Sequence, residues 1–286
     1  MRTAGLWFSR GVTSDPMTGP DTAQRSLDHW SEAGRGEMEA FYALATEDYR
    51  QLAAAADWPA KLRAVATDGR VTLLDVACGS GKWPAALLTA GLDPELRIEV
   101  DLLDPSAFSL SEARSVLAPP FVGAADHEVG IQDLDPAAGP YDVAWAVHAL
   151  YALPPDELGA GLERMAAAVR PGGLGMVAQA TAASHYLAFY EAYRETVEHP
   201  VTPYTTAEEV VDALRGLGLS PQVQVLAYRT RSSDLGVVEG FLQRCAFDDT
   251  LTLAEMESHG PLADYLDGCR DAAGFHFDHE VQLITW

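Results

Sequence analysis

The stretch Val71 to Trp83, reading VTLLDVACGSGKW, constrains the fold more than any other part of this chain. Its apolar run, Val71, Leu73, Leu74 and Val76, suits a strand buried on both faces of a parallel sheet. The chain then turns through Ala77, Cys78, Gly79, Ser80 and Gly81, and Pro84 suits the first turn of a following helix. A strand, a glycine turn and a helix start together aim backbone N–H groups at a bound anion or nucleotide. Glycine there leaves room for close approach to the backbone. The pattern is not the dinucleotide fingerprint G-x-G-x-x-G, because the third glycine position is Pro84.

Strands and helices alternate after that turn, which predicts an α/β fold with a parallel sheet. A second strand, Arg97 to Leu103, ends in Asp104-Pro105-Ser106. In nucleotide-binding sheets an acidic residue at this point accepts hydrogen bonds from ribose hydroxyls. Asp104 lies 23 residues after Gly81 (104 − 81), near the expected distance of about 20. Asp101 competes but falls inside the strand, whereas Pro105 ends it and Ser106 can cap the next helix. A short third strand is expected over His127 to Ile131, followed by Gln132, Asp133 and Leu134.

The fourth strand, Tyr141 to Val147, leads into His148, Ala149, Leu150 and Tyr151 at its carboxyl end, where open α/β sheets bind ligands. The next helix repeats Leu158, Leu162, Met165 and Val169 at helical spacing and ends at Arg170-Pro171-Gly172-Gly173. Leu174 to Ala178 is the fifth strand. Helical insertions are expected at about 183–200, with Tyr186, Phe189, Tyr190 and Tyr193, and at about 234–272. Between them lie a helix begun by the capping box Thr206/Glu209 and a sixth strand, Gln222 to Thr230. Phe277 to Trp286 is the last strand. Ahead of the glycine turn, residues 1–25 read as a mobile tail. Residues 26–70 read as helical, with Trp30, Phe41, Tyr42 and Tyr49 in the pattern.

VTLLDVACGSGKW, VDLLDPS, YDVAWAVHALY and VRPGGL, in that order over about residues 71 to 178, resemble the motifs of class I S-adenosylmethionine-dependent methyltransferases. The layout beyond is similar to that of histamine N-methyltransferase and its bacterial relatives. The resemblance implies a Rossmann-like, seven-stranded, mostly parallel sheet with helices on both faces and an antiparallel C-terminal strand. It implies a methyltransferase domain over 71–286 and a helical lid over 26–70. S-adenosylmethionine becomes the expected cofactor and S-adenosylhomocysteine (SAH) its product. Cofactor contacts are expected from Asp75, Ala77, Gly79, Gly81, Asp104, Pro105, Ser106 and Val147, with Asp133 and Leu134 (or Gln132) against the adenine. Trp30, Phe41, Tyr42, His185 and Tyr186 are the expected acceptor contacts.

Methyl transfer is an in-line displacement, so the protein mainly aligns the reactants. A base is needed where the acceptor must lose a proton. His148 is the candidate for that place and Tyr151, one turn on, can share it. Charge narrows the acceptor. The chain carries 19 basic and 42 acidic residues, a net −23, which repels nucleic acid and anionic lipid and favours cationic substrates. A small amine acceptor is therefore placed ahead of phenols, with C-methylation open. A nicotinamide-dependent oxidoreductase and a non-catalytic binding protein of the same fold are the alternatives. Cys78, Cys245 and Cys269 are scattered, giving neither a metal site nor a disulfide framework. No apolar run approaches the ~18 residues of a membrane span, and the N-terminus lacks a signal-peptide pattern. The expected setting is cytoplasmic, as a monomer or homodimer, and the Ala- and Gly-rich composition suggests bacterial natural product biosynthesis.

Overall fold

The computed structural model describes residues 22–33, 35–198, 201–258 and 260–286. Two helices come first, α1 (Thr22–His29) and α2 (Arg35–Ala54), followed by α3 (Trp58–Val65), whose N-cap Asp57 accepts the Ala60 N–H. The alternating unit then runs β1 (Arg70–Val76), α4 (Lys82–Ala90), β2 (Arg97–Leu103), α5 (Ala107–Val116), β3 (Phe121–His127), β4 (Tyr141–Val147), α6 (Pro155–Ala168) and β5 (Val169–Ala180). The remainder is α7 (His185–Thr196), α8 (Ala207–Gly216), β6 (Gln222–Ser232), α9 (Leu235–Ala246), α10 (Leu253–Met256), α11 (Gly260–Gly268), β7 (Arg270–Asp271) and β8 (Gly274–Thr285).

The strand order is β3-β2-β1-β4-β5-β8-β6. β1, β2, β3, β4 and β5 run parallel, and β8 inserts antiparallel between β5 and β6. The expected Rossmann-like α/β sheet is present, with β7 as an eighth, two-residue strand on β8. Strand periodicity splits the core into two layers. Leu73, Val143 and Trp145 pack with Trp58, Trp83 and Leu87 on one face. Leu74, Ala144 and Ala146 pack with Leu158, Leu162 and Met165 on the other. A third apolar cluster joins α2, α7, α9 and α11 over Phe275 and Phe277 of β8. It is this cluster that brings the helices outside the alternating unit to one end of the sheet.

At the amino end of β4, the Asp142 carboxylate accepts the Thr72 N–H at 2.8 Å and the Arg170 Nε–H. Burial opposes ionisation there, but these donors hold its carboxyl below the usual range. The pair ties β1, β4 and β5 together and carries the β5 ladder back to Val169, earlier than the Leu174 start read from the sequence.

Other boundaries also differ. The third strand is Phe121–His127 rather than His127 to Ile131. It is an edge strand with mostly exposed residues, and Gly123, Ala124 and Ala125 give no apolar alternation to read. Ile131 instead opens a 3₁₀ turn, Ile131–Asp133. Helical structure begins at Thr22, so residues 22–25 are not tail; the rest of the expected tail lies outside the described residues. No helix among the described residues is long and apolar enough to cross a membrane.

Candidate active site

Strand order reverses between β1 and β4, since β1 continues toward β2 and β4 toward β5. A crevice opens outside the carboxyl ends of strands at such a point. Here it is a cavity of about 380 Å³, lined by Asp75, Ala77, Gly79, Asp104, Pro105, Val147 and His148, with Trp30 and Tyr42 from the N-terminal helical segment. Ala77, Gly79 and Gly81 all adopt left-handed backbone, with φ of 48°, 51° and 71°. The two glycines differ in what surrounds them. A Cβ on Gly79 would meet nothing within 4 Å, whereas one on Gly81 would lie 2.4 Å from Val116 Cγ2 and 3.0 Å from Ala113 Cα. Gly79 therefore keeps the cavity open, and Gly81 lets α4 pack against α5. Gly81 does not line the cavity.

Two buried carboxyls face this space. Asp104 accepts the Gly79 N–H at 3.0 Å and the Ser106 N–H at 2.9 Å, joining the turns after β1 and β2. Burial pushes it up to about 6 against the pull of those N–H groups. Asp75 is pushed up to about 7, first by burial and further by the charge of Asp104. Its Oδ2 is buried with no hydrogen-bond partner among the described residues. Asp101, the competing residue, is occupied within the sheet, accepting from Tyr141 Oη at 2.7 Å and the Ala125 N–H at 2.8 Å.

Ser106 stands behind the cavity wall. Its Oγ caps α5 through the Ser109 N–H and donates to the Trp30 carbonyl at 2.9 Å. Arg244 Nη1 donates to the His29 carbonyl at 2.6 Å. The segment after α1 is thereby fastened on both sides of the cavity mouth.

Asp133 and Leu134 do not line the cavity; Ile131 and Gln132 do. A 3₁₀ turn rotates successive side chains by about a third of a turn. Gln132 thus faces the cavity while Asp133 is exposed and Leu134 drops into the core against α6. Gln132, the alternative in the sequence reading, lines the cavity, and Asp133 and Leu134 do not.

A second cavity, of about 100 Å³, opens beyond His148 and is lined by Phe41, Asp48, Tyr49, Tyr151, Tyr186 and Tyr204 among others. His148 lines both cavities. Its φ of 53° places a non-glycine residue in left-handed backbone, a strained conformation that clusters at functional sites. Its N–H donates to the Ala178 carbonyl at 2.9 Å, fixing the residue to β5. Nδ1 lies 2.7 Å from Tyr151 Oη, and that oxygen also accepts the Ala180 N–H at 3.1 Å. Nε2 is buried with no partner among the described residues. Burial, then the charge of His279, pushes the ring down to about 3, so it is neutral at ordinary pH. A proton on Nδ1 directed at Tyr151 leaves an Nε2 lone pair for a reacting group.

His185 lines neither cavity. Its Nδ1 lies 2.8 Å from Tyr265 Oη and its ring centroid 4.2 Å from that of Phe277, so it packs behind Tyr186 in the core. Trp30, Phe41 and Tyr186 do line the second cavity. Sequence reading missed Asp48, Lys82, Tyr204 and Arg244. Asp48 carried a signal: with Ala45 and Leu52 it repeats at helical spacing, which places a carboxylate on the buried stripe of α2. Lys82 follows the glycine turn, and its Nζ lies 4.3 Å from the Tyr42 ring centroid. Among the described residues no group of three or more His, Cys, Asp or Glu is arranged to hold a metal ion.

Comparison with known proteins agrees with this geometry. A family model described as "Methyltransferase domain" matches residues 73–173, from β1 into β5. Magnesium protoporphyrin IX methyltransferase from Synechocystis PCC 6803, solved with bound SAH, superposes with a TM-score of 0.54 at 13% identity, covering 92% of this chain and 99% of that one. A putative methyltransferase from Bacillus halodurans C-125 gives 0.51 at 13% identity, covering 80% and 98%. DhpI in complex with SAH gives 0.50 at 23% identity, covering 72% and 92%. Likeness at these identities is likeness of fold. No curated protein sequence matches the chain. The strand order and the glycine turn at the switch point give this chain the fold of these methyltransferases, and residues 73–173 match a methyltransferase-domain model.

Proposed function

We propose that this enzyme methylates a small organic acceptor, with an amine nitrogen the favoured atom. The observation that supports this most directly is the position of His148 between two cavities, its Nε2 unpartnered. The larger cavity suits the cofactor. Asp104 would accept from ribose hydroxyls, the Ala77–Gly79 turn would lie against the amino-acid portion, and Ile131 and Gln132 would flank the base. The unpartnered Asp75 oxygen is an open acceptor for a cationic ligand, and the bare Gly79 leaves space for it. When bound, S-adenosylmethionine supplies a methyl group already activated on a sulfonium.

The chain's own residues would then align the acceptor. The smaller cavity holds it, and its aromatic walls exclude water. His148 Nε2, neutral in its buried setting, accepts a hydrogen bond from the acceptor N–H and orients the nitrogen lone pair toward the methyl group, and Tyr151 fixes the plane of the ring. Removing water and aligning the nucleophile are the main contributions such a site makes. Trp30 and Tyr42 cover the larger cavity, which supports a lid role for the segment before β1. The net charge of −23 disfavours nucleic acid as acceptor.

The test is turnover. Incubation with S-adenosylmethionine and a panel of small amines, phenols and carboxylic acids, followed by mass spectrometry, should give a one-methyl mass gain among the amines. A gain confined to phenols or acids would overturn the preference for nitrogen. A gain on none of them, with SAH bound, would favour a cofactor-binding protein without small-molecule turnover.

A further inference from the structure

Asp48 lies on the wall of the smaller cavity and is 2% exposed. Its Oδ2 accepts from Tyr186 Oη at 2.5 Å and its Oδ1 from Tyr228 Oη at 2.8 Å. Two neutral phenols fix the carboxylate in place but bring no opposite charge. No ion pair to Asp48 forms among the described residues, and the charge of its chain neighbour Glu47 has the same sign. Arg244 lines the same cavity, but its Nη1 is directed to the His29 carbonyl and its guanidinium lies over the Trp30 ring, 5.3 Å from the centroid.

A buried carboxylate without a cation costs several kcal/mol. The fold nevertheless places one where a ligand can reach it. The rings of Phe41, Tyr49, Tyr151 and Tyr186 line the same space. Aromatic faces attract a cation, and more strongly where water is excluded. A carboxylate lacking its counter-charge and ringed by aromatic faces has the chemistry of a binding site for an ammonium group.

We propose that Asp48 determines acceptor specificity and that the acceptor carries a protonated amine, which binds Asp48 inside the tyrosine-lined cavity. The inference rests on the small-acceptor reading above. It names the acceptor's recognition group rather than the nitrogen that is methylated. Tyr186 and Tyr228 act as positioning residues, holding the carboxylate toward the cavity.

The experiment is a titration of SAH-saturated protein with phenethylamine and, in parallel, with its neutral isostere 2-phenylethanol. A charge-assisted hydrogen bond in a buried site should make the amine bind at least about tenfold more tightly. Asp48→Asn should abolish that preference while SAH binding persists. Equal binding of the two probes, no binding of the amine, or a preference that survives Asp48→Asn would overturn the proposal. Where Asp48→Asn loses SAH binding through misfolding, Tyr228→Phe decides, because it keeps the carboxylate and removes one of the two donors that hold it. The amine preference should then fall without disappearing, and a preference either unchanged or wholly lost would overturn the proposal. Failure of the wild type to bind SAH would count against the methyl-transfer reading instead.

Discussion

The two glycines of the turn after β1 should fail in different ways when substituted by alanine. Both have positive φ, 51° at Gly79 and 71° at Gly81. A Cβ in left-handed backbone costs about 1–2 kcal/mol. At Gly81 the methyl would also lie 2.4 Å from Val116 Cγ2 and 3.0 Å from the Ala113 backbone. Relieving such overpacking typically costs a further 1–3 kcal/mol or so. Gly81→Ala should therefore destabilise by roughly 2–5 kcal/mol. At about 2–4 °C per kcal/mol for a chain this long, its melting temperature should fall by roughly 4–20 °C. Gly79→Ala meets nothing in the protein, so only the conformational term applies and the fall should be about 2–8 °C. Its methyl enters the larger cavity, however, and SAH affinity should drop by about tenfold or more, the equivalent of ~1.4 kcal/mol. Differential scanning fluorimetry and SAH titration on the two variants separate these effects. Full SAH affinity in Gly79→Ala, or a Gly81→Ala variant as stable as Gly79→Ala, would refute the assignment of one glycine to the ligand and the other to packing.

Three further outcomes follow from the site and the sheet. His148→Asn, a residue that tolerates left-handed backbone, should lower kcat by about tenfold or more while SAH still binds, as loss of acceptor alignment requires. A variant with wild-type kcat would remove His148 from the chemistry. SAH binding should weaken as pH falls through the range of about 7 to about 6 where Asp75 and Asp104 take up protons, since the proposed contacts need both ionised. The stability of the unliganded protein should respond in the opposite sense. Carboxyls raised by burial contribute stability below their unfolded values that is lost as pH rises through about 6 to 7; paired titrations and melts over pH check both signs. Asp142→Asn should cost about 1–3 kcal/mol of stability through the weakened Thr72 and Arg170 bonds. SAH affinity should stay unchanged, because Asp142 sits at the opposite end of the sheet from the cavity.

Legibility of the site in the sequence followed how local the signal was. The β1 turn and the β2 terminus were readable because each is a strand end with its own punctuation: Gly79 and Gly81 in one case, Asp104-Pro105-Ser106 in the other. His148 was readable because ligands gather at the carboxyl ends of strands, and β4 is apolar over its whole length. Edge strand β3 was misplaced because its exposed residues carry no alternation. Which of Gln132, Asp133 and Leu134 faces the cavity was not readable because a 3₁₀ turn and an irregular loop share the same residue types. His185 and Tyr186 are neighbours on one helix, and only tertiary packing decides which faces the cavity and which faces Phe277. Asp48 could be seen as a polar residue on an apolar stripe. Its partners, Tyr186 and Tyr228, lie 138 and 180 residues away, so no spacing rule links them.

The cavity at the β1/β4 switch point is proposed to hold S-adenosylmethionine. Isothermal titration of the wild type and Asp104→Ala with SAH, and with NAD as control, tests it most directly. Micromolar SAH binding is expected, lost or strongly weakened in Asp104→Ala, with no comparable binding of NAD. SAH binding that is absent, indifferent to Asp104, or weaker than that of NAD would contradict it.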